Sequence, residues 1–190
     1  MLLRILTVLA AIVIVFVIVA VMQPAEYHVA RRTTVAAPVA VVFPHVNDLH
    51  KFQEWSPWAK IDPAAKTGFE GPSAGTGAVF SWAGNNEIGE GRMTITESRP
   101  NELVRFKLDF VKPFAGTSTA EFNFQPASSE TSVTWSMAGR KNFISKAISV
   151  FMSMDKMIGD QFEKGLAGLK SISESEAKGG SITSATKVER

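Results

Sequence analysis

The sequence of 190 residues contains no cysteine, which excludes a disulfide scaffold and a cysteine-based zinc site. It has only three histidines, and the spacing of His28, His45 and His50 matches no pattern of metal ligands. Lysine and arginine number 20 against 18 acidic residues, and no basic cluster is present. Such a chain can neutralise little nucleic-acid phosphate. We therefore expect no metal, no cofactor and no nucleic-acid partner.

Long apolar runs are also lacking after the first 22 residues, which excludes a transporter with several membrane spans. The first run is very apolar, because only Arg4 and Thr7 interrupt the stretch from Met1 to Met22. Twenty helical residues cover the hydrocarbon layer of a bilayer, about 30 Å. We predict an N-terminal transmembrane anchor over residues 1–24, with residues 5–22 in contact with the membrane. A cleaved signal is the alternative, but its apolar region is usually shorter and ends in a small-x-small site.

The orientation of this anchor depends on basic residues that nearly balance. Arg4 and the amino terminus lie on one side of the apolar run, and Arg31 and Arg32 lie on the other, so the positive-inside rule separates the two topologies poorly. We expect a single-pass protein of the cell membrane with its domain on the extracytoplasmic side.

The rest of the chain alternates apolar and polar residues, as strands with one buried face do. The alternation is clearest from Val104 to Phe110, where even positions are apolar and odd positions are charged. Shorter stretches repeat it at residues 27–30, 78–82, 93–96, 120–125 and 133–137. Turn-forming residues separate these stretches, which predicts antiparallel strands joined as hairpins.

Two helical regions accompany the predicted sheet. The first lies between Pro38 and Glu54 and is divided by Pro44. The second runs from about Asn142 to Ser171 as one long helix with an apolar stripe of Ile144, Ile148, Phe151, Ile158, Phe162, Leu166 and Leu169. This stripe must be buried against the concave face of the sheet. Residues 173–190 are mostly polar, and we predict a disordered tail there.

Several motifs occur in a characteristic order on these elements. They are Phe52-Gln53-Glu54-Trp55-Ser56-Pro57-Trp58, then Gly89-Glu90-Gly91-Arg92-Met93 with Arg99-Pro100-Asn101, then the segment from Met157 to Lys170. Together they resemble the SRPBCC superfamily (START/Bet v 1-like), in the membrane-anchored bacterial branch of its polyketide cyclase/dehydrase and lipid transport family. The resemblance covers residues 25–172.

This resemblance implies an α+β helix-grip fold. In that fold a curved antiparallel sheet wraps around a long C-terminal helix and leaves an apolar cavity; here one N-terminal transmembrane helix would precede it. A shared reaction is not implied, because one fold hosts many functions.

Candidate ligand-binding residues are the large apolar side chains on the inward positions of the strands and beside them. Aromatic surface with few hydroxyl groups favours a dry pocket, and methionine adapts to irregular ligands. The candidates are Trp55, Trp58, Phe80, Trp82, Phe106, Phe110, Phe122, Phe124, Trp135, Met137 and Met154. The alternative interpretation is that these residues are simply the core under the long helix.

Asp155 is the one candidate for acid–base chemistry, because its place in the helical pattern lies within the apolar stripe. The alternative is a salt bridge to Arg92 or Lys146. His45 and His50 are expected at the surface or at helix caps.

Three functional hypotheses follow. The first is a membrane-tethered module that binds or transports a lipid or another hydrophobic small molecule in an internal cavity. The second is an enzyme resembling a polyketide cyclase or dehydratase that uses the same cavity. The third is a groove that binds a helix of another protein. Few ionisable residues lie among the candidates, which favours binding over catalysis.

Overall fold

The structure, a computed structural model, describes residues 1–188, with side chains described as far as Gly179. The helices are α1 (Leu2–Met22), α2 (Val39–Asn47), α3 (Leu49–Trp55), α4 (Phe143–Ser149) and α5 (Met154–Val188). The strands are β1 (Glu26–Val35), β2 (Lys66–Glu70), β3 (Val79–Ala83), β4 (Glu90–Arg99), β5 (Leu103–Lys112), β6 (Gly116–Ala127) and β7 (Glu130–Arg140).

The seven strands form one curved antiparallel sheet in the order β1-β7-β6-β5-β4-β3-β2. Strands β2 to β7 follow one another as neighbours, and β1 pairs with β7 at the other edge. The pairing of β4 with β5 is interrupted between Glu90 and Gly91 and between Ile95 and Glu97, and such irregularities bend a strand. With α5 packed across the sheet, the predicted α+β helix-grip fold is confirmed.

The core lies between the concave side of the sheet and three helices. Helix α5 buries Phe162, Leu166 and Leu169, which belong to the predicted stripe. Helices α2 and α3 cover the remaining part with apolar residues such as Val46 and Phe52. Full burial of one such side chain stabilises a fold by about 1.5–3 kcal/mol.

The prediction of one helix from Asn142 to Ser171 was wrong, because the chain breaks at residues 150–153 into α4 and α5. Each of the two helices begins after a polar side chain that accepts a hydrogen bond from the first helical turn. The side chain of Asn142 accepts a hydrogen bond from the backbone N–H of Ser145 (2.8 Å), and the Ser153 hydroxyl accepts one from Lys156 (3.3 Å). As a result, the N-terminal part of the predicted stripe is exposed: Ile144, Ile148 and Phe151.

Helix α5 also continues past Ile172, where we expected the tail to begin. Ser173 is buried, Glu174 accepts a hydrogen bond from the backbone N–H of Ala36 (2.8 Å), and Glu176 contacts His45 (2.8 Å). The first part of the predicted tail is therefore helix packed against α2. Residues 189 and 190 of that tail lie outside the described residues.

Candidate functional site

Eight of the eleven candidate residues lie on the sheet and share its concave side. Strand register aligns them in rows, because directly paired residues of antiparallel strands point to the same side. We call this surface the inner face; its candidate members are Phe80, Trp82, Phe106, Phe110, Phe122, Phe124, Trp135 and Met137. Trp55 lies at the end of α3, Trp58 in the following loop and Met154 at the start of α5.

The middle of the inner face is closed by α5. The indole of Trp135 stacks on Phe162 of α5 with ring centroids 4.0 Å apart and on Phe122 of β6 at 4.6 Å. Trp55 and Trp58 meet the same indole edge-on at 5.8 and 5.7 Å. These rings fill the space beneath α5 by direct contact with one another.

Burial decreases toward one end of the inner face. Phe106 and Phe122 are 1% exposed, whereas Trp82, Leu108 and Phe110, which lie nearer the end of β3 and β5, are only half-buried. The Trp82 and Phe110 rings are in edge contact, with centroids 6.1 Å apart. We call the surface formed by Tyr27, Trp82, Leu108 and Phe110 the half-open end.

A glycine determines where the Trp82 ring can lie. Gly91 pairs with both Trp82 and Phe110 across β4, and a methyl group on it would stand 2.8 Å from Cη2 of the indole. The ring therefore lies directly over the β4 backbone, and its Nε1 donates to the carbonyl of Ile88 (3.0 Å). The indole thus presents apolar surface with its own donor already bonded.

Two hydroxyl groups provide the polar chemistry beside the half-open end. Tyr27 of β1 reaches across Gly139 of β7 to Ser118 of β6, and the two side-chain oxygens are 2.8 Å apart. Gly139 permits this crossing, because a methyl group there would stand 2.6 Å from the Ser118 hydroxyl. Burial raises the pKa of Tyr27 above its ordinary value, so the phenol stays neutral and can exchange hydrogen bonds with a ligand.

One further polar group lies in the closed part. The Trp135 Nε1 donor is buried and has no partner within the described residues. An unpaired buried donor costs about 1–3 kcal/mol. A ligand oxygen or a water molecule reaching this atom would remove that cost.

The helical pattern predicted that Asp155 lies within the apolar stripe, but in the structure it lies outside that stripe. Its side chain is 61% exposed and accepts hydrogen bonds from Arg31 of β1 at 3.0 and 3.1 Å. These bonds lower the pKa of Asp155. The expected partners were wrong as well, because Arg92 pairs with Glu70, and Lys146 donates to the backbone carbonyl of Val21.

Arg31 is a positioning residue that sequence analysis missed. It stands on the inner-face side of the edge strand β1, opposite Trp135, and also donates to Glu163 of α5 (2.8 Å). Its guanidinium packs against Gly159, where any side chain would collide with it. Both carboxylates raise the pKa of Arg31. The residue therefore fastens the start of α5 to the sheet.

The expectation for His45 was also wrong, because it is buried and only 3% exposed. Its Nε2 lies 2.8 Å from the carboxylate of Glu176, and its carbonyl accepts from Nε1 of Trp55 (2.8 Å). His50 is more exposed and stacks on Phe69 (3.9 Å). The burial of His45 follows from the extension of α5 over α2.

Sequence reasoning missed Tyr27, Ser118, Gly91 and Arg31. Tyr27 is the only tyrosine of the chain and falls in an alternating stretch, which was the available signal. Nothing in the sequence could pair it with Ser118, because the two residues are 91 positions apart.

Two concave surfaces are open to solvent. One of about 530 Å³ separates the end of α3 from α5 and includes Trp55, Lys60 and Lys164. The other, of about 350 Å³, lies beside β2, β3 and β4 and includes Ser81 and Arg92. Neither is an enclosed cavity beneath α5.

Known structures share this fold. A protein from Nitrosospira multiformis is 19% identical with a TM-score of 0.57, and the match covers 80% of this chain and 99% of that chain. Protein CV1439 from Chromobacterium violaceum is 14% identical with a TM-score of 0.56, covering 80% and 99%. DynU16, a protein in the dynemicin biosynthetic locus, is 14% identical with a TM-score of 0.55; the match covers 79% of this chain and 48% of that one. At these identities the likeness concerns the fold alone.

Comparison with curated proteins finds no match. The family described as "Polyketide cyclase / dehydrase and lipid transport" matches residues 26–174, most of the chain. The match begins at the first strand and ends in α5, so it spans the whole sheet and the helix that packs across it. The predicted SRPBCC superfamily is thereby confirmed, and the chain belongs to the polyketide cyclase / dehydrase and lipid transport family.

Proposed function

We propose that this protein binds or transports a lipid or another hydrophobic small molecule, which it holds against the half-open end of the inner face. The observation that carries the proposal is the decrease in burial along this aromatic surface, from fully covered at Phe122 to half-buried at Trp82 and Phe110. When a ligand covers large apolar side chains that the fold leaves partly exposed, the complex is stabilised by about 25 cal/mol per Å² of apolar surface buried.

The polar groups near this surface favour binding rather than catalysis. Tyr27 and Ser118 present neutral hydroxyl groups, which suit the carbonyl, ester or hydroxyl group of a largely apolar ligand. Asp155, the acid considered for a cyclase or dehydratase, is exposed and held in ion pairs with Arg31. The family description includes both lipid transport and cyclases, and the position of these groups is our reason for proposing binding.

The proposal also includes a membrane tether. Among the described residues, α1 is the one helix that is long and apolar enough to cross a membrane. Its side chains are exposed along nearly its whole length, as they would be in contact with lipid. It leads through three residues into β1, which holds the domain at the membrane surface. A tethered site meets membrane lipids at a high effective concentration.

Photocrosslinking tests the binding site. The full chain in lipid nanodiscs is mixed with a fatty acid that carries a diazirine near its methyl end, irradiated and digested for peptide mapping. We expect labelled peptides from β3 and β5. Trp82→Ala and Phe110→Ala should each reduce this labelling severalfold, because each removes one of the two aromatic rings that are in edge contact at the half-open end.

Val111→Ala is the matched control, since Val111 neighbours Phe110 on β5 but belongs to the opposite side of the sheet and is 53% exposed. Labelling should be unchanged by this substitution. Labelling restricted to α1, or equal labelling in all variants, would contradict the proposed site.

A further inference from the structure

The most apolar exposed surface of the folded domain surrounds α4. None of the residues of this helix is buried. The helix and the connection after it form what we call the α4 segment, residues 143–152. Its large apolar side chains are between 36% and 79% exposed: Phe143, Ile144, Ile148, Phe151 and Met152.

The α4 segment lies alongside α1. Phe151 stacks on Phe16 of α1, with ring centroids 5.7 Å apart and 19° between the ring planes. Lys146 donates from Nζ to the backbone carbonyl of Val21 (3.2 Å), close to the end of α1. Phe16 and Val21 are five residues apart, which corresponds to about 7.5 Å along a helix. Phe151 therefore lies about 7.5 Å further along α1, away from the domain, than Lys146.

The charged residues near the start of the α4 segment are basic, as expected for residues at the level of lipid headgroups. Arg140, Lys141 and Lys146 surround the start of α4, and no acidic residue occurs between Arg140 and Met154. Basic residues near an anionic membrane surface contribute about 1 kcal/mol each. Lysine can extend its amine to the headgroups while neighbouring apolar side chains enter the acyl region.

A second exposed apolar side chain lies at the same end of the sheet, in the turn between β5 and β6. Glu26 of β1 follows α1 and pairs with Arg140, and Phe110 pairs with Gly116 across the turn from β5 to β6. That turn carries Phe114, which is 40% exposed. The half-open end borders this end of the sheet, because Trp82 and Phe110 both lie in the last row of the inner face.

We propose that the α4 segment is a second membrane contact, inserted into the bilayer leaflet from which α1 emerges. Phe151 and Met152 enter the acyl region and Lys146 lies among the headgroups. The inference rests on the proposed membrane span of α1. Its consequence is that the half-open end faces the lipid surface, so a ligand passes between bilayer and protein without crossing water.

The chain has no cysteine, so single introduced cysteines report depth unambiguously. Met152→Cys marks the α4 segment, Val15→Cys marks α1, and Ser129→Cys marks the turn between β6 and β7 at the far end of the sheet. Each full chain carries an environment-sensitive nitrobenzoxadiazole label in vesicles of phosphatidylcholine and phosphatidylglycerol (3:1). Emission is measured with aqueous iodide and with spin-labelled lipid as quenchers.

We expect the probes at positions 152 and 15 to emit at shorter wavelength than the probe at 129, to be quenched by spin-labelled lipid and to resist iodide. Replacing both Phe143 and Phe151 by serine should shift the emission of the probe at 152 to longer wavelength and make it accessible to iodide. Phe69→Ser is the matched control, because Phe69 is 41% exposed on β2, remote from α4, and should leave that probe unchanged.

The outcomes separate this inference from the tether. If position 15 is within lipid while position 152 is quenched by iodide, insertion of the α4 segment is refuted and the tether stands. If position 152 resists both quenchers, a protein surface covers it and the inference fails. If positions 15 and 152 both face water, the proposed span of α1 fails together with the insertion.

Discussion

At the scale of single residues, charge pairing explains how the edge strand is joined to α5. Arg31 takes a position on the inner-face side where an apolar residue would be expected, and the exposed edge of β1 makes this possible. Its guanidinium reaches Asp155 and Glu163, while Gly159 leaves room for it. The carboxylates remain in water, so this pairing determines the geometry of the α5 start more than it contributes stability.

The lowered pKa of Asp155 predicts a pH dependence. Its charged form is favoured in the fold, so the stabilisation is complete above the ordinary aspartate pKa of about 3.9 and is lost as the pH falls through the lowered value. Asp155→Asn should therefore unfold at lower temperature than the parent chain above about pH 5, and the difference should vanish at lower pH. Thermal unfolding followed by circular dichroism from pH 2.5 to 7 measures this.

Asp160→Asn is the matched control, because Asp160 lies on the same helix but pairs with Lys156. This variant removes an equal charge without touching Arg31. A difference between Asp155→Asn and the parent chain that did not change with pH would show that the ion pair is not responsible.

At the scale of elements, glycine determines how closely α5 approaches the rest of the core. Gly165 faces the Trp135 ring and Pro57, and Gly168 faces the backbone of Trp55. Glycine lowers intrinsic helix stability by about 1 kcal/mol relative to alanine. The close contact with Trp135 explains why this cost is tolerated in the middle of the helix.

Gly165→Ala should destabilise the protein by about 1–3 kcal/mol despite the better helix propensity of alanine, since the added methyl would stand 2.7 Å from Trp135 Cζ3 and 3.1 Å from Pro57 Cδ. Ser171→Ala, at an exposed position of the same helix, is the control; it also improves helix propensity and should stabilise by a few tenths of a kcal/mol, about 0.5 at most. Urea denaturation compares the two, and equal changes would refute the packing argument.

At the scale of the whole molecule, α1, α4 and the half-open end all lie at one end of the sheet. Strand order produces this arrangement, because β1 follows α1 while β7 precedes α4, and β1 pairs with β7 from Glu26 and Arg140 onward. The opposite end is formed by turns such as the one between β6 and β7, which is polar. The molecule therefore has one apolar end and one polar end, and this arrangement supports the proposed membrane tether.

Membrane topology can be tested with the same turn. If the domain lies on the extracytoplasmic side, as the sequence led us to expect, Ser129→Cys in intact cells should react with a maleimide that cannot cross membranes. No other thiol in the chain competes. A chain reactive only after the cells are opened would place the domain in the cytoplasm. A chain found in the soluble fraction would instead contradict the tether and favour a cleaved signal.

The sequence alone determined the class of fold. Alternating residues such as those from Val104 to Phe110 predicted the strands, because period-two burial is a local property. The unbroken apolar run predicted α1, and the inward positions of the strands predicted the aromatic inner face. These features depend on residues close together in the chain, so pattern reading was sufficient for them.

Only the tertiary structure decided where α4 ends and what each stripe residue contacts. Phe151 and Phe162 follow the same helical period, yet Phe162 is buried under Trp135 and Phe151 lies exposed on α1. The partner of Asp155, the burial of His45 and the pairing of Tyr27 with Ser118 likewise join residues 91 to 131 positions apart. Sequence periodicity states which side of an element is apolar. The element that covers that side is chosen by packing across the whole chain.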